Sequence, residues 1–380
     1  LGGSNSNFQT PLNDLTGYEV PAAKQREYLL SGNEEFPEPT EAAKVIWKAV
    51  NDGKDQIDYP TDSVCEKLYN QYMSMHKEEF KKYFYNKIFL QNMEEEKRVK
   101  YIKLGNTDIE VSRICVGGMS FGEPSEDFHL WTLDQEKTTS MIKHAYELGV
   151  NFIDTANTYS HGTSEIFIGN ALKELGIPRE KVIIASKVYF NEGKLSKEAI
   201  FREIEKTLER LQTNYLDLYY IHRFDYDTPI EETMEALDTL VKSGKVRALG
   251  ASSMYGYQFH NMQEVAKNNN WTLFSVMQNH YNLLYREDEH EMIPICQQYA
   301  VSLVPYSPLA GGHLTHRGWD SDSLRAKTDK VRRDKYDHAI DNDTIIIDRV
   351  SELAEKYNVS MAQISLAWLL KRGVASPIVG

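Results

Sequence analysis

From residue 113 onward, short apolar runs recur, each followed by a stretch in which apolar residues return every three or four positions. The runs are RICVGG at 113, NFID at 151, KVIIASK at 181, YLDLYYIH at 215, VRALGAS at 246, FSVMQN at 274, VSLVPYS at 301 and ASPIVG at 375. Short apolar runs rich in β-branched residues predict buried strands. The first seven starts lie roughly 27 to 38 residues apart, about one βα unit each. Between them the spacing predicts amphipathic helices, with Ile200, Ile204, Leu208 and Leu211 on one face. Thr228-Pro229-Ile230-Glu231 predicts a capping box with proline in the first helical position. Ser360-Met361-Ala362-Gln363 repeats the device, and Gly244 is available for a left-handed helix end. Residues 306–340 are polar and charged, and predict a long loop of the functional or disordered kind. Two further helical stretches follow before the last run. Ahead of the first run, KYIKLG and IEVSRI flank Asn106-Thr107-Asp108 and predict a hairpin. Eight strands alternating with helices favour a (β/α)8 barrel over an open doubly wound sheet. RICVGGMSFG also lacks the Gly-rich turn of a dinucleotide-binding sheet. A phosphate-binding G-x-x-x-x-G-K-[ST] sequence is absent too.

Residues 1–92 have a different texture, with short helical patterns between polar turns. A helix is predicted after Thr40, with Ala43, Ile46 and Val50 at helical spacing and Asn51-Asp52-Gly53 ending it. QIDYP reads as one short strand. Residues 62–90 read as helix, with Phe80, Phe84 and Ile88 on one face. No alternation of strand and helix occurs there, so a small, mostly helical segment is expected. The charged stretch from Met93 reads as a junction, giving segments 1–92 and 93–380.

Composition narrows the function classes. The net charge of −13 divides into −4 before residue 93 and −9 after it, so neither part offers the basic surface of a nucleic-acid binder. No apolar run reaches the roughly 18 residues that span a bilayer. Three widely spaced cysteines, Cys65, Cys115 and Cys296, argue against a disulfide scaffold and fit a reducing, cytoplasmic setting.

In a barrel the chemistry sits where strands end. The second run ends at Asp154, with Tyr159 five residues on; the third ends at Lys187 and the fourth at His222. Later runs end at Ser252-Ser253, Gln278-Asn279 and Tyr306-Ser307. A phenol titrates near pH 10, and a neighbouring ammonium lowers that value. Lys187, held charged by Asp154, can act so on Tyr159, while His222 can donate to a carbonyl oxygen and orient it. The set suits carbonyl reduction with a hydride from a cofactor. Each residue alone has a plainer role as turn device, salt-bridge partner or core side chain. The argument rests on four fitting types at consecutive strand ends. His222 with Asp154 also admits a metal hydrolase, but HxH and HExxH pairs are absent, and no metal is expected.

DTANTYSHGTSE (154–165), ASKV (185–188), LDLYYIHRFD (216–225), GKVRALGASS (244–253), VMQNHYNLL (276–284) and VPYSPLAGGHL (304–314) together resemble the aldo-keto reductase superfamily. The resemblance spans about 99–380 and is nearest the aryl-alcohol dehydrogenase-like and fungal aldehyde reductase-like branch. It implies a barrel that reduces aldehydes or ketones with NADPH and without metal. It also implies a tetrad of Asp154, Tyr159, Lys187 and His222, with Tyr159 as general acid. Ser252 and Gln278 match positions that hold the nicotinamide carboxamide. Tyr306 matches the aromatic stacked on the nicotinamide ring. Ser307, Leu309 and Gly311 match the loop along the pyrophosphate. Two positions depart from the pattern: Ser160 stands where glycine is frequent, and Ser253 where asparagine is.

Family members continue past the equivalent of ASPIVG with a segment for the adenosine 2′-phosphate and an eighth helix. A barrel ending at Gly380 is therefore expected to lack its last helix. GGSNSNF and PTEAAKVIWKAVNDGKDQIDYPTD resemble the C-terminal part of a short-chain dehydrogenase/reductase. That resemblance brings no catalytic residue with it. Two other readings accompany the small-molecule reductase: a barrel that only senses nucleotide, and an inactive truncated fusion product.

Overall fold

The computed structural model describes residues 99–319 and 321–380. The chain divides into two units, Leu1–Arg98 and Val99–Gly380, and the second carries the described residues. The helices and strand expected within residues 1–92 lie outside them.

The hairpin forms as β1 (Tyr101–Lys103) and β2 (Glu110–Ser112), antiparallel with Ile102 opposite Val111. All eight apolar runs then become strands of one parallel sheet. They are β3 (Cys115–Gly117), β4 (Phe152–Asp154), β5 (Ile183–Val188), β6 (Leu216–Ile221), β7 (Val246–Ser252), β8 (Phe274–Gln278), β9 (Ser302–Leu303) and β10 (Ile378–Val379). Strands β3 to β9 pair in chain order, and β10 pairs with β3. Ala375 N–H donates to Leu303 O at 2.9 Å and Ile378 N–H to Pro305 O at 3.0 Å, joining the last strand to β9 and closing the ring. The architecture is a (β/α)8 barrel, as the spacing predicts.

Helices cross over between strands: α1 (Gln135–Glu147), α2 (Thr163–Glu174), α3 (Lys197–Leu211), α4 (Ile230–Lys242), α5 (Gly256–Asn268) and α6 (Met292–Gln298). The expected face of α3 is buried at Ile200, Ile204, Leu208 and Leu211. One cap differs from expectation. Pro229, not Thr228, is the N-cap of α4, and the Thr228 hydroxyl donates instead to Asp225 Oδ2 at 2.7 Å. A buried carboxylate nearby is the stronger acceptor, so the hydroxyl turns away from the helix end. Residues 306–340 also differ. They fold into a 3-10 turn (Ala310–Gly312) and two short helices, α7 (Leu324–Thr328) and α8 (Lys330–Tyr336). Apolar anchors hold this stretch down: Ala310, Leu314 and Tyr336 are buried with Ile347 and Val350. Those anchors are too widely spaced to show a helical period. The two expected helices follow as α9 (Ile340–Tyr357) and α10 (Met361–Lys371), the latter with the expected Ser360/Gln363 capping box.

Strand parity explains what faces inward. Successive strand residues point to opposite faces. Ile184, Tyr219, Ile221, Leu249 and Met277 point out and pack under the helices. Phe152, Ile183, Ala185, Leu218, Tyr220, Ala248 and Val276 point in and fill the barrel with Leu104, Ile109 and Val111 of the hairpin region. Tyr220 is the largest side chain of this interior layer. Gly250 faces it, and a Cβ there would sit 2.3 Å from the Tyr220 ring. The same parity continued two residues up the strand, or four in β7, reaches Asp154, Lys187, His222, Ser252 and Gln278.

Candidate active site

Those five residues, from β4 to β8, therefore converge above the apolar plug. Lys187 is fully buried, and Asp154, Ser252, Gln278 and His222 are each at most 9% exposed. The Lys187 ammonium has three acceptors. It donates to Asp154 Oδ1 at 2.5 Å, to Thr155 O at 2.7 Å and to the Tyr159 hydroxyl at 3.0 Å. Its three N–H bonds are thus all used, which fixes the amine in place. The other oxygen of Asp154 accepts from Gln278 Nε2 at 2.8 Å.

Tyr159 comes to the ammonium through strained backbone. Ser160 and His161, directly after it, both adopt left-handed φ, at 45° and 56°. Glycine takes this conformation without penalty, whereas serine bears a cost. Ser160 is held there by burial and by its hydroxyl donating to Phe121 O at 3.3 Å. Gly122 leaves room for it, since a Cβ there would lie 2.5 Å from Ser160 Cβ. The Tyr159 ring stands edge-on to His222, with centroids 5.8 Å apart and planes at 81°.

Burial dominates the electrostatics. It pushes the Tyr159 phenol above its ordinary value, while the charges of Lys187 and, less strongly, Arg223 pull the other way. The sequence argument expected a net lowering by Lys187; desolvation of the phenolate outweighs the ammonium. Burial works against charge on Lys187 also, but Asp154 and Tyr159 together raise its pKa, so it stays an ammonium at neutral pH. Burial, then the charges of Lys187 and Arg223, hold His222 well below its ordinary value, so it is a neutral imidazole. Its Nδ1 is buried without a partner.

The remaining predicted positions line the same end. The Ser252 hydroxyl lies 3.2 Å from that of Ser253, which adopts φ 51° and donates its N–H to Asn279 Oδ1 at 2.7 Å. The Tyr306 ring is stacked on His280 at 5.3 Å, with the Lys335 ammonium 4.5 Å from its centroid. Ser307, at φ 54°, opens a turn in which its carbonyl accepts from Ala310 N–H, and the Leu309 carbonyl accepts from Gly312 N–H. Gly311 lies inside that turn at φ 62°, where a Cβ would press on Arg332 at 2.9 Å. A buried hydroxyl, a carboxamide, a half-buried aromatic ring and a left-handed turn could hold an amide-bearing heterocycle and a phosphate chain.

Several contacts were not visible in the sequence. The Thr155 carbonyl and the Phe190 ring, 5.0 Å from His222 at 79°, belong to the site without carrying any strand-end signal of their own, and Asn279, visible as a strand end, gave no sign that it would accept from Ser253 N–H. Beneath the mouth, buried Glu165 accepts from Ser186 Oγ and Arg210 Nε, each at 2.5 Å, and ties α2 and α3 to β5. Among the described residues no group of three or more His, Cys, Asp or Glu is placed to hold a metal ion.

Comparison with known proteins agrees with the geometry. An aldo-keto reductase of Fusarium vanettenii is 43% identical over 312 residues, covering 74% of this chain and 83% of that protein. Versiconal hemiacetal acetate reductase of Aspergillus parasiticus is 42% identical over 313 residues, covering 74% of this chain and 88% of that protein. A putative aryl-alcohol dehydrogenase of Schizosaccharomyces pombe is 41% identical over 310 residues, covering 73% and 86%. Residues 113–380 match the model of the Aldo/keto reductase family over more than half of the chain. The chain belongs to the aldo/keto reductase family.

Proposed function

We propose that the protein is an NADPH-dependent reductase of aldehydes or ketones, with Tyr159 as its general acid. The observation that carries this reading is the direction of one hydrogen bond. Lys187 donates to the Tyr159 oxygen, so the phenolic proton is free to point into the mouth, toward a substrate oxygen. Bound NADPH would supply the hydride that the carbonyl carbon receives. Tyr159 would give its proton to the oxygen as negative charge grows there. Its high pKa keeps that proton in place until then, and the ammonium stabilises the phenolate left behind. His222, neutral and wedged between Tyr159 and Phe190, has one N–H to offer the same oxygen.

Ser252 and Gln278 would hold the nicotinamide carboxamide, Tyr306 its ring, and Ser307, Leu309 and Gly311 the pyrophosphate. The names of the relatives support reduction of carbonyl compounds, and one of them names an aryl alcohol. Cys115 and Cys296 are free and buried, which supports a reducing cytoplasmic setting. No helix among the described residues is long and apolar enough to cross a membrane. For residues 1–92 the kinship with short-chain dehydrogenases rests on sequence alone, and no step of the reaction is assigned to them.

Tyr159→Phe tests the reading. Carbonyl-dependent NADPH oxidation should fall by about 10²- to 10⁴-fold. NADPH binding, followed by fluorescence titration, should change little. Undiminished turnover in the variant would remove the assignment.

A further inference from the structure

Arg223 directly follows His222, and the established motif gives it no task. Its guanidinium lies 5.9 Å from the centroid of the Phe190 ring. Phe190 in turn stands edge-on to His222 and is 51% exposed at the mouth. Other cations near this rim are neutralised. Lys194 pairs with Asp227 at 2.5 Å and Asp225 at 3.9 Å, and Arg202 with Glu203 at 3.0 Å. Arg223 has no carboxylate within 4.0 Å and no hydrogen-bond acceptor among the described residues. The two acids on its own loop are engaged elsewhere: Asp225 accepts from Thr228, from the backbone of Leu195 and from that of Asp227, and Asp227 pairs with Lys194. A half-buried guanidinium with five unused N–H donors is an unfilled site for a planar anion.

A second ring lies beside the proton donor. Phe128 lies 6.4 Å from Tyr159 and 6.1 Å from His161. Phe128 by Tyr159 and Phe190 by His222 are rings that a flat body with its carbonyl at those two residues would meet. The charge of Arg223 reaches both of those groups, which places it on the same side of the mouth.

Resting on the reductase reading above, we propose that Arg223 is a specificity-determining residue: with Phe190 it forms a cationic, ring-backed subsite that takes carbonyl substrates bearing a carboxylate on a flat apolar body. The charged group would dock on the guanidinium fork while the aldehyde oxygen faces the proton donor. A neutral isostere loses the fork and leaves the guanidinium partly desolvated without a partner.

The test compares 4-carboxybenzaldehyde with its methyl ester, methyl 4-formylbenzoate, by kcat/KM. The native chain should prefer the acid by about tenfold or more. Arg223→Leu should abolish the preference, mostly through KM for the acid, and Arg223→Lys should restore part of it. Using the ratio removes any general effect of the substitution on Tyr159. A ratio unchanged in Arg223→Leu, or no preference in the native chain, overturns the proposal while leaving carbonyl reduction standing. If neither aldehyde is turned over, the reductase reading fails instead. Calorimetric binding of 4-carboxybenzaldehyde then decides the subsite: at least about tenfold weaker binding to Arg223→Leu supports it, and equal binding overturns it.

Discussion

Lys187 shows how little of a residue's role is its charge alone. Its ammonium is fully buried, and three acceptors at 2.5 to 3.0 Å hold it between Asp154 and Tyr159. Replacing it by methionine removes the only cation among the described residues that touches the phenol, and leaves Asp154 buried without that partner. Lys187→Met should lower kcat by about 10²-fold or more, because the phenolate loses its stabilising charge. Steady-state rates at neutral pH check this, and a kcat within about tenfold of the native chain's would refute it. Asp154, Lys187 and His222 were legible as a set because they end consecutive runs, with Tyr159 five residues past the first of those ends. The sign of the Tyr159 shift was not, since it depends on how deeply the phenol is buried, which no spacing reports. The strain at Ser160 was half legible: a departure from glycine is visible in the sequence, but the φ of 45° that makes it a cost belongs to the fold.

At the scale of single elements, β6 and β7 make the sharpest case. Tyr220 fills the barrel interior opposite Gly250. Gly250→Ala would drive a methyl into the Tyr220 ring and should destabilise the protein by about 1–3 kcal/mol, measured by urea unfolding. Tyr220→Phe should do the reverse or nothing, because its hydroxyl is buried without a partner and burial holds it far above its ordinary pKa. The cap of α10 is a separate, local quantity. Ser360→Ala removes the acceptor for Gln363 N–H and should cost about 1 kcal/mol. Helix ends were legible where the cap chemistry stayed within one turn, as at Ser360. At Thr228 the carboxylate of Asp225, three residues upstream, won the hydroxyl, and the sequence shows that acid but not the burial that turns it toward the threonine.

The acid stability of the molecule as a whole follows from its buried histidines. Burial, assisted by Lys335, lowers His280 to about 3, and burial with Arg332 lowers His313 to about 4. His222 is also pushed well below 6.5. A histidine depressed in the folded state is more easily protonated when unfolded. Stability is therefore complete above pH 6.5 and declines as pH falls toward the folded values. Asp288 works against this, since burial raises it to about 6 and its protonation favours the folded state. Asp154 and Asp343 are raised as well, but His129 is lowered too, and seven carboxylates among the described residues, held below their ordinary values, act in the same direction as the histidines: the melting temperature should fall between pH 6.5 and 4, and His280→Gln should flatten that fall. A melting temperature rising over this range would contradict the argument. By itself, the sequence determined the eight strands, their order and the residues that close them, because each is a local matter of period and run length. The tertiary structure decided which partners those residues meet: Gln278 on Asp154 across 124 positions, Phe190 on His222, and Arg223 without a carboxylate within 4.0 Å among the described residues. Ring closure brings distant strand ends within hydrogen-bonding distance, and the burial it creates sets the sign of each charge there. Neither is a property of any short stretch of chain.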